Sequence, residues 1–235
     1  MPVDPIILTD ITHSFSTKPV LSGLSWSFAH EKVTVVLGKS GSGKSTLLQI
    51  INGMIRPDRG SVALFDAPLD YSNIHTIRLK LGYVIQHIGL FPHLTLYDNI
   101  VLPGKIAQQP AHKTHQRALH LLDMVELPIS YIHKYPHELS GGEQQRAGLC
   151  RAMLLEPPVL LMDEPFASLD TDTKQSIYSH LKAIQRDEPR TIVLVSHDRE
   201  EARILGDYFM ALEDGTIKTS GAIANIDVLK SSLIA

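Results

Sequence analysis

Residues 38–45 read Gly-Lys-Ser-Gly-Ser-Gly-Lys-Ser and complete the spacing G-x-x-x-x-G-K-S. The glycines let the backbone turn tightly, so that its N–H groups can surround an anion such as a phosphate. At this spacing Lys44 can reach the β- and γ-phosphates of a nucleotide, and the Ser45 hydroxyl can ligate Mg²⁺. The predicted nucleotide-binding residues of this loop are Gly38, Lys39, Ser40, Gly41, Ser42, Gly43, Lys44, Ser45 and Thr46.

The segments on either side of the loop suit this role. Residues 33–37 are a short apolar run rich in valine, which predicts a strand, and residues 46–51 have a helical pattern. A helix that begins at the loop adds the positive end of its dipole to the phosphate site. A chance turn rich in glycine and serine would not need both neighbours, so the context favours a nucleotide site.

A second motif is the run Val-Leu-Leu-Met-Asp-Glu at residues 159–164. The apolar part predicts a buried strand that carries Asp163 at its carboxyl end, where the side chain can hold Mg²⁺ directly or through water. Glu164 can polarise an attacking water as a general base or a water-positioning group. A strand that ends in Asp-Glu is a weak signal alone, but beside the phosphate loop it indicates nucleotide hydrolysis.

A third motif, Leu-Ser-Gly-Gly-Glu-Gln, occupies residues 139–144. One interpretation is an ordinary loop with Ser140 as a helix N-cap; the other is a second anion site at that helix N-terminus. The chain then has two phosphate-binding devices but one loop of the Lys44 type. A head-to-tail dimer resolves this if each signature segment caps the nucleotide of the other subunit. The residues predicted for this role are Ser140, Gly141, Gly142 and Glu143.

Together and in this order, the motifs resemble the ATP-binding subunits of ABC transporters over nearly the whole chain, and the motif at residues 139–143 is that family's signature. The resemblance implies ATP and Mg²⁺ as ligands and ATP hydrolysis coupled to membrane transport. It also implies an α/β P-loop NTPase fold with a mostly parallel sheet, an N-terminal antiparallel β subdomain and a helical signature subdomain. The expected partners are a second ATPase subunit, most simply a copy of this chain, and integral membrane permease subunits.

The resemblance assigns roles to four further positions. Gln86 matches the glutamine that contacts Mg²⁺ or water and senses the transporter. Residues 168–170 resemble the D-loop, with Asp170 at the dimer interface. His197 resembles the switch histidine that contacts the γ-phosphate. Phe15 stands where the family stacks an aromatic ring, most often tyrosine, on adenine, and phenylalanine keeps the stacking face. The expected catalytic residues are Glu164, His197 and Gln86, and the expected metal ligands are Ser45, Gln86 and Asp163.

The order of predicted elements supports one α/β domain over residues 1–235, because strands alternate with helices. Residues 6–12 and 25–28 are predicted strands of an N-terminal sheet. A mostly helical stretch at about residues 87–150 interrupts the alternation and predicts a subdomain.

Three more local predictions concern helices and turns. Residues 73–81 are expected to be helical, and the helical pattern of residues 94–127 is expected to break near Pro103 and Pro110. Asp214-Gly215 predicts a hairpin turn.

The composition excludes several classes of protein. The 235 residues are 43% hydrophobic and carry a net charge of −3, so a large core is expected and no nucleic-acid partner is indicated. Cys150 is the only cysteine, which fits a reducing compartment and a small buried apolar role. The N-terminus lacks a signal pattern, and the apolar runs are far shorter than the roughly 20 residues that span a bilayer. We therefore expect a peripheral place at the cytoplasmic face of the cell membrane, held by the permease.

Residues 82–95 are the segment that best distinguishes subfamilies, and they resemble the ATPases of osmoprotectant importers for glycine betaine, choline or carnitine. Residues 98–100 and 135–139 continue this similarity. The resemblance implies import of a quaternary ammonium solute and an extracytoplasmic solute-binding protein. Many members carry C-terminal CBS domains; the sequence ends at Ala235, so such regulation is expected to be absent or supplied elsewhere.

Alternatives remain open at this point. The ATPases of polar amino-acid importers and of lipid or lipoprotein exporters share much of the sequence of these segments. ABC ATPases of DNA repair or translation resemble tandem cassettes or cassettes split by coiled coils, which the sequence does not show. A P-loop kinase or GTPase would not need the motif at residues 139–143, and an Asn-Lys-x-Asp guanine motif is absent.

Overall fold

The computed structural model describes residues 4–86, 89–167 and 169–228. The strands are β1 (Ile6–Phe15), β2 (Lys18–Phe28), β3 (Val33–Leu37), β4 (Arg59–Leu64), β5 (Ala67–Pro68), β6 (Leu81–Val84), β7 (Val159–Asp163), β8 (Thr191–Ser196), β9 (Tyr208–Glu213) and β10 (Thr216–Ala222). The helices are α1 (Lys44–Ile51), α2 (Ile74–Arg78), α3 (Leu96–Ile106), α4 (Ala111–Met124), α5 (Gly141–Met153), α6 (Thr171–Asp187) and α7 (Arg199–Leu205).

A six-stranded sheet in the order β10-β9-β3-β8-β7-β6 forms the centre of the chain. Its strands are parallel except β10, which pairs antiparallel to β9. Every residue of β3, β7 and β8 is buried, as expected for strands covered on both faces. Because the carboxyl ends of parallel strands share one edge, the segments that follow β3, β6, β7 and β8 meet there.

A smaller antiparallel sheet in the order β2-β1-β4-β5 packs over α1. Leu47 and Leu48 of α1 lie in one buried cluster with Phe28 of β2 and Leu161 of β7. Helix α1 is therefore held between the two sheets, which fixes the phosphate loop at its N-terminus.

The other face of the central sheet is covered by the helices of the middle of the chain. Ile100 of α3, Leu121 of α4 and Cys150 of α5 share a buried cluster with Leu160 and Met162 of β7. Cys150 is fully buried as predicted, and burial raises the pKa of its thiol to about 12. The fold is thus the predicted α/β arrangement with a mostly parallel sheet. The division of residues 1–235 into one domain with a subdomain at about 87–150 stays a prediction.

Two local predictions are wrong. Pro103 lies inside α3, and the break falls after Ile106 instead, because the buried face of the helix outweighs the one hydrogen bond that proline removes. The helix predicted over residues 73–81 covers only Ile74–Arg78, since Leu81 is taken into β6 beside β7. The break at Pro110 and the hairpin turn at Asp214-Gly215 are confirmed, the latter with positive φ at both residues.

Among the described residues, no helix combines the length and the apolar character that crossing a bilayer requires.

Candidate nucleotide site

The loop between β3 and α1 has a shape that only glycine permits at two positions. Gly38 has φ 154°, and a Cβ there would lie 2.4 Å from the Leu212 carbonyl oxygen. Gly43, the N-cap of α1, has φ 101°, and its Cβ would lie 2.9 Å from the Val20 carbonyl oxygen. Gly43 brings no side-chain acceptor to the helix N-terminus, so it leaves the first N–H groups of α1 available as donors for an anion.

Lys44 lies at the floor of this loop with its side chain only 5% exposed. Its Nζ donates to the carbonyl oxygens of Gly38 at 2.7 Å and Lys39 at 2.9 Å. Burial lowers the pKa of the ammonium, while the carboxylates of Glu164 and Asp163 oppose that shift. The carbonyl oxygens of the loop thus hold the Lys44 ammonium beside the position expected for the phosphate oxygens.

Ser45 and Asp163 form the candidate metal site. The Ser45 hydroxyl donates to Asp163 Oδ1 at 3.0 Å. Burial raises the pKa of Asp163, helped by the neighbouring Glu164 charge and opposed by the Ser45 hydrogen bond and Lys44. A hydroxyl and a carboxylate beside a phosphate loop are the oxygen ligands that Mg²⁺ prefers. Ser42 Oγ in the same loop is buried without a hydrogen-bond partner among the described residues, which leaves polar capacity unused there.

Glu164 is the point at which the other predicted residues converge. Its Oε1 lies 3.8 Å from Lys44 Nζ, and its Oε2 lies 3.4 Å from His197 Nδ1 and 3.5 Å from Gln86 Nε2. The backbone of Glu164 is in the left-handed region, with φ 42°, and its N–H donates to Val195 O at 3.1 Å. A non-glycine residue held in this conformation is a common mark of a functional site, because the surrounding structure must offset the strain.

These groups face a cavity of about 640 Å³. Phe15 lies at its wall with half of its surface exposed, and its ring is perpendicular to that of His13 at a centroid distance of 4.9 Å. An open aromatic face beside a phosphate loop suits a purine base. The predicted residues that line the cavity are Phe15, Ser40, Gly41, Gly43, Lys44, Ser45, Thr46, Gln86, Glu164 and His197.

The cavity also has three lining residues that the sequence analysis missed: Lys18, Pro19 and Val20. Lys18 begins β2 and pairs directly with Phe15 across the hairpin. A hairpin prediction at Ser16-Thr17 would have placed these residues beside the aromatic ring. Lys18 therefore brings a second cation to the same recess.

The remaining predicted residues do not line this cavity. Ser140 caps α5, where its Oγ accepts from Glu143 N at 3.3 Å and its own N–H donates to Glu143 Oε2 at 2.7 Å. Asp170 caps α6, where its carboxylate accepts from Thr173 N at 3.0 Å and from the Thr173 hydroxyl at 2.7 Å. A Cβ on Gly142 would lie 2.4 Å from Thr173 Cγ2, so the two helix N-termini touch. The structure places Ser140, Gly141, Gly142, Glu143 and Asp170 together where these two helix N-termini meet, with Gly142 buried between them. Ser168, His87 and Ile88 lie outside the described residues.

Comparison with known proteins decides the family. The model of the family described as "ABC transporter" matches residues 21–167, which is more than half of the chain. The chain belongs to the ABC transporter family. Its phosphate loop, the strand that ends in Asp163 and the signature segment all fall within the matched range.

Two curated ABC relatives illustrate the sequence similarity of the chain to transport ATP-binding proteins. The glycine betaine/carnitine/choline transport ATP-binding protein OpuCA of Bacillus subtilis (strain 168) is 41% identical over 87% of this chain and 54% of its own length. The methionine import ATP-binding protein MetN of Brucella abortus (strain 2308) is 37% identical over 93% of this chain and 60% of its own length. The chain therefore spans little more than half the length of these relatives.

A solved ABC cassette has the same architecture. It is a dimeric ATP-binding cassette in a post-hydrolysis state with ADP and Pi, 31% identical to this chain, with a TM-score of 0.84 over 93% of this chain and 98% of the cassette. The similarity confirms the predicted fold class and family. The roles assigned to individual residues stay predictions.

Proposed function

We propose that the chain is the ATP-hydrolysing subunit of an ABC importer that drives a small polar solute through a separate permease. The observation that carries the proposal is the Glu164 carboxylate, which lies within 3.8 Å of Lys44 and 3.5 Å of both Gln86 and His197 beside the phosphate loop. A carboxylate set among these groups is placed to orient a water for attack on a phosphate.

Each side chain has a distinct part in that chemistry. Lys44 and the N–H groups of the loop hold the β- and γ-phosphates of ATP, and Phe15 stacks on the base. Glu164 orients the attacking water and accepts its proton, while His197 contacts the γ-phosphate. Ser45, Asp163 and Gln86 are the residues that would hold Mg²⁺, which when bound offsets the charge of the phosphate oxygens.

A head-to-tail homodimer completes the proposed site. The signature residues and Asp170 lie outside the chain's own cavity but share one surface, because the N-termini of α5 and α6 touch at Gly142 and Thr173. The helix N-terminus at Ser140 can then face the nucleotide of the other subunit. The dimeric state of the similar solved cassette supports this arrangement.

Ser140→Arg tests the dimer. We expect the variant to bind ATP as a monomer with nearly unchanged affinity but to form no ATP-dependent dimer, since a long cation would fill the space meant for the partner's nucleotide. Static light scattering with ATP in a Glu164→Gln background measures this. Ser179→Arg, an exposed position on α6, is the matched control and should dimerise. A dimer of the Ser140→Arg protein would contradict a role in trans.

An apolar groove gives the proposed permease contact. A cavity of about 440 Å³ lies between the end of β6 and α3, and its lining includes the exposed side chains of Ile85, Phe91 and Ile106. Exposed apolar residues around a recess mark an interaction site. We propose that a short cytoplasmic helix of the permease docks here and holds the chain at the cytoplasmic face of the membrane.

The proposed cargo is a quaternary ammonium osmoprotectant, delivered by an extracytoplasmic solute-binding protein. The similarity to the glycine betaine, carnitine and choline transport protein supports this choice. The methionine import relative is nearly as similar, so an amino acid is the second candidate. The chain itself would not touch a quaternary ammonium solute, because the binding protein would hold that cation by cation–π contacts.

Uptake of labelled solutes tests the proposed function in cells with and without the gene at high osmolarity. We expect loss of the gene to abolish betaine or choline uptake, and Glu164→Gln to fail to restore it. If methionine or another amino acid is lost instead, the cargo proposal is wrong and the importer proposal stands. Unchanged uptake of every solute tested would contradict the importer.

A further inference from the structure

A buried carboxylate outside the proposed chemistry lies directly behind the switch histidine. Glu201 of α7 is only 4% exposed. Its Oε2 accepts from the Ser196 hydroxyl at 2.5 Å. Its Oε1 accepts from the Tyr178 hydroxyl at 2.9 Å and from Lys174 Nζ at 3.2 Å. Both oxygens are thus engaged by three donors from two other elements.

A carboxylate in this setting has little freedom to move. Burial of an ionised group is strongly unfavourable unless hydrogen bonds and an opposite charge replace the lost solvation. Those donors come from α6 and from the last residue of β8, so any shift of Glu201 would break bonds to elements that do not move with it. The carboxylate therefore fixes where Ser196 lies relative to α6 and α7.

The Ser196 hydroxyl also restrains the backbone around His197. It donates to Glu201 and accepts from the backbone N–H of Asp198 at 2.9 Å. The residues on both sides of His197 are in this way tied to one buried atom. The His197 side chain itself is 55% exposed and contacts Glu164 Oε2 at 3.4 Å. The orientation of the His197 side chain toward the cavity therefore depends more on its anchored backbone than on packing around its ring.

We propose that Glu201 is a positioning residue for His197 and acts through the hydroxyl of Ser196. The inference rests on the proposed ATPase function. It also gives α6 a part in the site, because Lys174 and Tyr178 lie on the helix that Asp170 caps. Tyr178 packs edge-on against Phe166, two residues after Glu164, with ring centroids 5.0 Å apart. The His197 backbone and the segment after Glu164 are thereby both anchored to α6.

Glu201→Gln and Ser196→Ala test the proposal by phosphate release from MgATP and by ATP titration, with Glu200→Gln as the exposed neighbouring control. Glutamine keeps the shape of Glu201 but has one acceptor oxygen for the donors that now use two. We expect each variant to lower kcat at least about tenfold, as small misplacements of reacting groups do, and to leave KM and ATP affinity within about twofold. The double variant should lose no more than the worse single variant, since both act through one bond.

Melting temperatures separate positioning from folding, with kcat measured well below the lowest melting point. If Glu201→Gln does not fold, Ser196→Ala decides alone, because it removes only a hydroxyl. A kcat within twofold of the parent, or equal losses of kcat and ATP affinity, would overturn the proposal. Absence of phosphate release by the parent chain would overturn the proposed ATPase function instead.

Discussion

Replacement of Glu164 by glutamine is expected to slow ATP hydrolysis at least about 100-fold while ATP binding persists. The amide keeps the size of the side chain and the contact distances to Lys44, Gln86 and His197, but it cannot accept a proton from water. It also removes one negative charge that faces the phosphates, so ATP affinity should not fall. The unhydrolysed nucleotide should then accumulate in the dimer.

Phosphate release and light scattering with MgATP measure the two effects of Glu164→Gln. Glu31→Gln is a matched control, because Glu31 also has a positive φ, 55°, but is exposed and does not line the cavity. Turnover of Glu164→Gln near that of the parent chain would contradict the assignment of Glu164 as the group that orients the water.

Lys44→Ala should have the second largest effect, a fall in both ATP affinity and hydrolysis. The variant removes the buried ammonium that opposes Glu164 and Asp163, so the triphosphate would meet two carboxylates without their cation. Loss of charge-assisted hydrogen bonds of roughly 1.5–3 kcal/mol corresponds to at least about tenfold weaker binding.

Isothermal titration with ATP measures the effect of Lys44→Ala, and Lys32→Ala, which changes a half-exposed lysine paired with Asp207, is the control. The prediction is wrong if the affinity of Lys44→Ala equals that of the control.

Several elements could be predicted from the sequence because their signals are local. The bounds of β3 match the apolar run at Val33–Leu37, and Ser140 caps α5 as its motif indicates. The errors arose where packing over long distances outweighs local preference. Pro103 remains helical because its helix is buried against α4 and α5, and no window of sequence around Pro103 contains that information.

The candidate site likewise has some features that local sequence predicts and others that depend on distant contacts. Convergence of Gln86, Glu164 and His197 follows from a rule of parallel sheets, since each comes just after the carboxyl end of a strand. The left-handed backbone of Glu164 could not be predicted, because it depends on a hydrogen bond to Val195 on a neighbouring strand. The bonds of Glu201 to Lys174 and Tyr178 join positions more than twenty residues apart, and no short motif records them.

The edge position of β6 makes two recesses neighbours along the chain. Ile85 lines the apolar groove, and the next residue, Gln86, lines the nucleotide cavity, so one peptide bond separates the two. A rigid peptide plane cannot shift at one end alone. A displacement of the backbone at Ile85 would therefore be passed through this shared peptide plane to Gln86, whose Nε2 lies 3.5 Å from Glu164 Oε2.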